Sequence, residues 1–287
     1  WPLRTAGRLA AVSTDLEVLR GRLSWHGTAV MGIVNTTPDS FSDGGRHMSR
    51  DDAVAAGVAM FEAGALIVDV GGESTRPGSE PVGAAEQLRR VLPVISGLAD
   101  NGVPTSIDTA LPEVARAALE AGAWLVNDIG GLRDPAMLEV VAEAGAGAVA
   151  LHMQGEPRTM QHDPAYGDVV SEVTDWLAAA GARAGVYGID AVMLDPGIGF
   201  GKNLEHNLEL LRQLPALCDR GWPVLVGASR KGLIGTLSGV HDPAARDPGS
   251  IALHLFAARM GASMVRVHDV PGHVQALSVQ AGLAGDA

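Results

Sequence analysis

Two residue types are nearly missing from this 287-residue chain: cysteine occurs once and lysine twice. The lone Cys218 excludes an intrachain disulfide and an all-cysteine metal site. Lys202 and Lys231 stand against 19 arginines. A chain that otherwise carries positive charge as a planar fork has kept a compact point charge in two places, either by chance or because a site needs that shape. Positive charge is itself short, with 21 Lys and Arg against 33 Asp and Glu and a net charge of −12. Such a surface repels phosphate backbones and anionic lipid, which speaks against a nucleic-acid or membrane-surface role. No apolar run approaches the ~18 residues of a transmembrane helix. Residues 1–28 lack the central apolar block of a signal peptide, so a cytoplasmic protein is expected. The chain opens on Trp1 rather than Met, and a longer natural N-terminus is expected.

What is present is material for a large core. Hydrophobic residues make up 47% and charged residues 19%, as in a globular protein rather than a disordered chain. The length suits one or two domains of ~150 residues, or a single α/β barrel of ~250.

Helix and strand signals alternate along the chain. Ser49 and Asp52 form a capping box with Asp in place of the usual Glu. Val54, Gly57, Val58 and Phe61 then follow at i, i+3, i+4 and i+7, and Gly64 closes the helix. Residues 66–70 read as a buried β-branched strand. The pairs Gly64-Ala65, Gly122-Ala123, Gly145-Ala146 and Gly261-Ala262 each end a helical pattern and open a strand, while Pro112 and Pro135 suit first helical turns. Eight strands are expected, around 30–35, 66–70, 105–108, 125–128, 148–152, 192–195, 224–227 and 264–268, each followed by a helix-compatible segment. No Pro- or Gly-rich linker divides them.

Eight βα units fit a (β/α)8 barrel, with a doubly wound open sheet as the alternative. The strand ends favour the barrel. Asn35, Asp69, Asp108, Asn127, His152, Asp195, Ser229 and His268 stand at or near them, and a barrel gathers all eight carboxyl ends around one mouth. The expected organisation is an α/β TIM barrel over 29–287. An N-terminal extension, 1–28, with Gly21 between two short apolar runs, would form a hairpin closing the bottom.

The chemistry is expected in the mouth loops. Residues 35–45, NTTPDSFSDGG, exceed the usual ~2–6-residue connection and read as a lid or binding loop. Residues 71–78, GGESTRPG, offer close backbone approach, a hydroxyl at Thr75 and an anion-binding fork at Arg76. Residues 195–203, DPGIGFGKN, lack Walker spacing and the dinucleotide fingerprint, so a tight turn behind Asp195, with Phe200 free to stack on a ring, is the better reading. Arg230, Lys231, Arg266 and His268 fall on the last two loops, where barrels most often bind phosphate, and in so acidic a chain they point to an anionic ligand. Asp108, Asn127 and Asp195 suit a ligand edge rich in N–H donors. His152 and His162, without a third ligand nearby, form no recognisable zinc motif.

In order, NTTPDSFSDGG, DVGGESTRPG, SIDT, NDI, HMQGEPRTMQ, DPGIGFGKN, GASRK and RVHDV closely resemble the dihydropteroate synthases of the pterin-binding family, from about Ala29 to the C-terminus. The resemblance implies a (β/α)8 barrel, usually a homodimer, and a transferase. That enzyme joins 6-hydroxymethyl-7,8-dihydropterin diphosphate to para-aminobenzoate, giving 7,8-dihydropteroate and pyrophosphate in folate synthesis. It implies that Asp195 and Asn127 hold the pterin edge, Asp108 takes another donor and Lys231 donates to the ring's acceptors. Arg266, His268 and Asn35, with Mg²⁺, would bind the diphosphate and ease its departure in an SN1-like step. Thr75, Arg76, Pro77 and Ser229 would surround para-aminobenzoate, with Phe200 against a ring and Met153 and Gly227 also lining the substrate site. Asp39 and Phe41 would be lid residues.

Lys202 maps onto no contact the resemblance implies. Thr36 stands where the family usually has Val, and Ala110-Leu111 where many members carry a polar or basic pair. Sulfonamides mimic para-aminobenzoate, and the loop after Ser74 has no obvious insertion, which favours susceptibility. Three other readings stand beside this one: a folate-binding barrel that passes a methyl group to a corrinoid, a Schiff-base aldolase using Lys231, and a catalytically silent paralogue. The corrinoid enzyme would have no use for the anion cluster or the long first loop, and a silent paralogue would show an incomplete site.

Overall fold

The structure, a computed structural model, describes residues 13–18, 21–37, 49–74 and 78–285. Two strands, β1 (Ser13–Val18) and β2 (Gly21–His26), form an antiparallel hairpin. Eight parallel strands follow: β3 (Ala29–Asn35), β4 (Ile67–Gly71), β5 (Thr105–Asp108), β6 (Leu125–Asp128), β7 (Gly147–Leu151), β8 (Val192–Asp195), β9 (Leu225–Val226) and β10 (Met264–Val267). Around them lie α1 (Arg50–Glu62), α2 (Ala84–Asp100), α3 (Pro112–Glu120), α4 (Pro135–Glu143), α5 (Val169–Val186), α6 (Leu204–Arg212), α7 (Leu214–Cys218), α8 (Gly232–Ser238), α9 (Asp247–Arg259) and α10 (Val270–Ala284). No helix among the described residues is long and apolar enough to cross a membrane.

The strands run β8-β7-β6-β5-β4-β3-β10-β9, and a bridge from Leu194 to Val224 joins the two ends, closing a (β/α)8 barrel. Strands covered on both faces read as continuous apolar runs, which is why 66–70 and 147–151 show no alternation. The hairpin is covered on one face and does alternate. Leu16, Val18, Leu23 and Trp25 are buried, while Asp15, Glu17, Arg22 and Ser24 face solvent. Its inner face packs on Met31, Ile67, Leu125, Met193, Leu225 and Met264 from the strand starts, and Trp25 Nε1 donates to the Ser263 carbonyl at 2.7 Å. The hairpin therefore plugs the bottom.

The local signals mostly hold. Ser49 and Asp52 make the reciprocal capping box, and Pro112 and Pro135 open α3 and α4. The glycines of the four Gly-Ala pairs take φ of 103°, 122°, 53° and 102°. Two expectations need correction. The expected face of α1 holds at Gly57, which is buried with Ala53, and at Val54 and Val58, which pack half-buried on the core, but Phe61 is 38% exposed. α1 and α2 meet through small residues: a Cβ on Gly57 would lie 2.6 Å from Leu98, and one on Gly97 2.6 Å from Val54. A bulky stripe would hold these helices apart. The strand expected over 224–227 shrinks to two residues: Val224 keeps a single bridge to Leu194, and just past the strand the N–H of Ala228 turns to His254.

Candidate active site

Register brings Asn35, Gly71, Asp108 and Asn127 side by side at the mouth. Asp69 lies two residues before Gly71, so it points to the same face one layer deeper. Its Oδ2 accepts from Asn127 Nδ2 at 3.0 Å and from Arg266 Nε at 2.6 Å, and Arg266 Nη2 donates to Asp108 Oδ2 at 2.8 Å. Four strands thus contribute one interlocked carboxylate, amide and guanidinium network. The second carboxylate oxygens, Asp69 Oδ1 and Asp108 Oδ1, and the amide oxygen Asn127 Oδ1 are buried and have no hydrogen-bond partner among the described residues. Burial pushes Asp108 up to about 7 despite the pull of Arg266. Burial also works against the charge on Arg266, but Asp69 and Asp108 outweigh it and hold the guanidinium above its ordinary value.

Asp195, at the end of β8, accepts from Gly197 N at 2.7 Å through Oδ1. Its other oxygen, Oδ2, would lie 3.5 Å from a Cβ on Gly227, so glycine there keeps the space beside it clear. Burial raises the Asp195 carboxyl, with Lys231 opposing. The Lys231 ammonium donates to the Ile198 carbonyl and sits 4.3 Å from the centre of the Phe200 ring. Burial brings it down to about 8, against the attraction of Asp195. Phe200 packs with Ile129, Leu151, Met153 and Met160, so the aromatic floor is part of a small apolar cluster at the mouth.

Ser229 Oγ lies 2.9 Å from His268 Nδ1 and accepts from the His268 backbone N–H at 3.2 Å. Arg230 does not join them. Its guanidinium is held bidentately by Asp247, at 2.7 Å on both bonds, and this removes it from the cationic cluster expected from the sequence. The structure therefore brings together Asn35, Asp108, Asn127, Met153, Asp195, Phe200, Gly227, Ser229, Lys231, Arg266 and His268 at one end of the barrel. Asp39, Phe41, Thr75, Arg76 and Pro77 lie outside the described residues.

Three roles were not assigned from the sequence, although Asp69 stood out as a strand-end residue and Lys202 as one of two lysines. Asp69 is the junction of the network, and its signal was a carboxylate between two valines of a buried strand. Lys202 is 2% exposed, and its ammonium reaches the carbonyls of His152, Gly197 and Phe200 at 3.2, 3.1 and 2.9 Å and His152 Nδ1 at 3.0 Å. A compact ammonium can meet converging carbonyls where a planar fork cannot, which explains why this lysine is not an arginine. Burial lowers Lys202 to about 7, and burial and then Lys202 lower His152 to about 3. His152 is therefore a neutral acceptor, and no group of three or more metal-ligating His, Cys, Asp or Glu occurs among the described residues. The third is a clasp under the second loop: Glu73 accepts from Val82 N and Gln87 Nε2, and Gln87 Oε1 accepts from Thr109 Oγ1 at 3.0 Å.

Comparison with known proteins agrees with this geometry. Residues 31–268 match the family model described as pterin binding enzyme. The dihydropteroate synthase of Escherichia coli (strain K12) is 49% identical over 253 residues, covering 87% of this chain and 89% of that protein. The Xanthomonas albilineans dihydropteroate synthase structure with 4-aminobenzoic acid superposes with a TM-score of 0.88 at 47% identity, covering 95% of this chain and 98% of the other. The Yersinia pestis dihydropteroate synthase in a sulfonamide drug complex gives a TM-score of 0.89 at 42% identity, covering 96% and 100%. With its barrel, its buried acceptor wall and these relatives taken together, the chain belongs to the dihydropteroate synthase family of pterin-binding enzymes.

Proposed function

We propose that this enzyme joins 6-hydroxymethyl-7,8-dihydropterin diphosphate to para-aminobenzoate, forming 7,8-dihydropteroate and releasing pyrophosphate. The observation that carries this reading is the buried wall of Asp69, Asp108, Asn127 and Asp195, in which the unspent oxygens of the first three match a flat heterocycle edged with N–H donors. Asp195 and Asn127 hold that edge, Asp108 accepts a further donor, and Lys231 donates to the ring's acceptors. Arg266 spends Nε and one Nη bond on carboxylates, so it fixes the wall and offers its remaining N–H groups to the diphosphate. Ser229 and His268 lie where diphosphate and arylamine meet.

The reaction breaks the bond between the exocyclic methylene carbon and the bridging diphosphate oxygen, leaving the electron pair on oxygen. The positive charge left on the pterin faces Asp108 and Asp195, which lower its cost. The arylamine lone pair then forms the new C–N bond, and the surplus amine proton leaves to pyrophosphate or water. No protein nucleophile is needed.

The residues fit a magnesium ion. Asn35 offers one hard oxygen at the mouth, and glycine at position 71, whose added Cβ would come 3.5 Å from that oxygen, leaves room beside it. Magnesium keeps most of its shell as water and substrate phosphate oxygens, so one neutral protein oxygen is an adequate donor set. When bound, the ion would supply neutralising charge to the leaving group.

From the motifs that carry them, we assign Thr75, Arg76 and Pro77 to aminobenzoate binding and Asp39 and Phe41 to a lid role. The sulfonamide complex of the Yersinia relative supports treating this enzyme as a sulfonamide target. We also read it as a cytoplasmic homodimer. Leu237, Phe256, Val279 and Leu283 are exposed on α8, α9 and α10, neighbouring helices that offer an apolar surface for a second copy.

Incubation of the purified protein with dihydropterin diphosphate, para-aminobenzoate and Mg²⁺, with both products quantified, tests the reading. Equal amounts of dihydropteroate and pyrophosphate are expected. Pyrophosphate alone would mean that the acceptor is wrong, and neither product would mean a silent paralogue.

A further inference from the structure

Two histidines outside the mouth are buried in contact with each other. His254 on α9 and His273 on α10 are 0% and 1% exposed, and His254 Nδ1 lies 2.8 Å from His273 Nε2. The protons on both rings are fixed by what flanks them. The Ala228 N–H donates to His254 Nε2 at 3.2 Å, so that nitrogen carries no proton and His254 Nδ1–H must donate to His273 Nε2. His273 Nδ1 must then hold its own proton, which it donates to the Asp269 carbonyl at 2.6 Å. The result is a one-way chain of three hydrogen bonds, Ala228 to His254 to His273 to Asp269, with both imidazoles neutral. Burial lowers both rings below their ordinary value, consistent with that state.

The chain's two ends decide its meaning. Ala228 immediately precedes Ser229, and Asp269 immediately follows His268, the two residues joined by a 2.9 Å contact at the mouth. The buried imidazoles thus form the outer half of a closed loop whose inner half is the Ser229–His268 pair. The segment they hold needs holding. Arg230 has φ of 59°, unusual for a residue other than glycine. One face of α9 grips this turn at three levels: Asp247 takes the Arg230 guanidinium, Ser250 accepts the Arg230 N–H at 2.9 Å, and His254 accepts the Ala228 N–H.

We infer that His254 and His273 are positioning residues for the anion-binding end of the site, a two-imidazole spacer that sets where Ser229 and His268 stand relative to each other. This rests on the reading of Ser229 and His268 as contacts at the junction of diphosphate and arylamine. An apolar pair would fill the same space but leave the Ala228 N–H buried without a partner and the Asp269 carbonyl with only the 3.3 Å bond from the backbone N–H of residue 273, and the turn would relax to satisfy them.

Spectroscopy and binding together test it. In ¹⁵N-histidine-labelled protein, two of the nine histidines should carry their proton on Nδ1 with a bare Nε2. Finding Nε2–H on either ring would overturn the spacer. In His254→Leu, affinity for inorganic pyrophosphate should fall about tenfold, the scale of a small displacement in a preorganised site, while affinity for 6-hydroxymethyl-dihydropterin without its diphosphate stays unchanged. His254→Gln, which can accept from Ala228 and donate to His273, should restore most of the pyrophosphate affinity. If His254→Leu binds pyrophosphate like the wild type while melting lower, the pair is structural and the inference fails. If both affinities fall together in that variant, positioning is not confined to the anion end and the inference fails as stated. Failure of the wild-type protein to bind pyrophosphate would instead overturn the functional reading, and the positioning role with it.

Discussion

The two ends of this barrel are made from the same eight strands and could hardly differ more. At the bottom, Met31, Ile67, Leu125, Met193, Leu225 and Met264 meet the hairpin's Leu16, Leu23 and Trp25 in an apolar plug. At the mouth, within a few residues along the same strands, stand Asn35, Asp69, Asp108, Asn127, Asp195 and Arg266. Buried charge costs free energy that buried leucine does not, so the mouth is held in place by the rest of the barrel rather than stabilising it. Function and stability are thereby assigned to opposite ends of each strand, and substitutions should separate them.

The largest effect is expected at the mouth. Lys231→Ala should lower turnover by about 10³-fold or more, since it removes a preorganised charge from the reacting ring, yet leave the melting temperature close to wild type. Comparable losses of activity and of stability would break the division. At the bottom, Leu125→Ala should cost about 2–5 kcal/mol in denaturant unfolding with kcat per folded molecule preserved. A fall in kcat without destabilisation would show that the plug tunes the site.

Acidity gives a sharper comparison of two mouth residues. Asp108 is raised to about 7 and Lys231 lowered to about 8, and the pterin site needs the first ionised and the second protonated. The kcat/KM for the dihydropterin diphosphate should therefore rise as pH climbs through 7 and fall as it passes 8. Lys231→Arg should remove the alkaline limb while sparing the acidic one; an unmoved alkaline limb would assign it elsewhere. The smallest expected effect is Trp25→Phe, which deletes the hydrogen bond to Ser263 and should cost about 1 kcal/mol without touching activity, as read by unfolding and assay together.

Much of the barrel was legible because its signals are local. Strand ends at Asp108, Asp128 and Asp195, the capping box at Ser49 and the prolines opening α3 and α4 all follow from residues within a turn of one another. The exposure of Phe61 on α1 was not, because this helix meets α2 through Gly57 and Gly97, a long-range packing that periodicity cannot see. The site divides the same way. Its residue types were readable loop by loop, but their pairing was not: that Arg266 spans Asp69 and Asp108, that Asp247 diverts Arg230, and that Lys202 closes a turn against His152 depend on contacts 197, 158, 17 and 50 residues apart. Buried polar partners are the part of a fold that local pattern reveals least.

The central claim, that the buried carboxylate and amide wall recognises the pterin edge, is tested most directly by titrating 6-hydroxymethyl-dihydropterin into wild-type and Asp195→Asn protein by calorimetry. The amide nearly preserves the shape of the carboxylate and loses its charge and one acceptor. A loss of affinity of about 100-fold, with the melting temperature unchanged or raised, is the predicted result, since a charge-assisted pair is worth about 1.5–3 kcal/mol. Unchanged affinity would contradict the account, because the pterin would then be held somewhere other than on this wall.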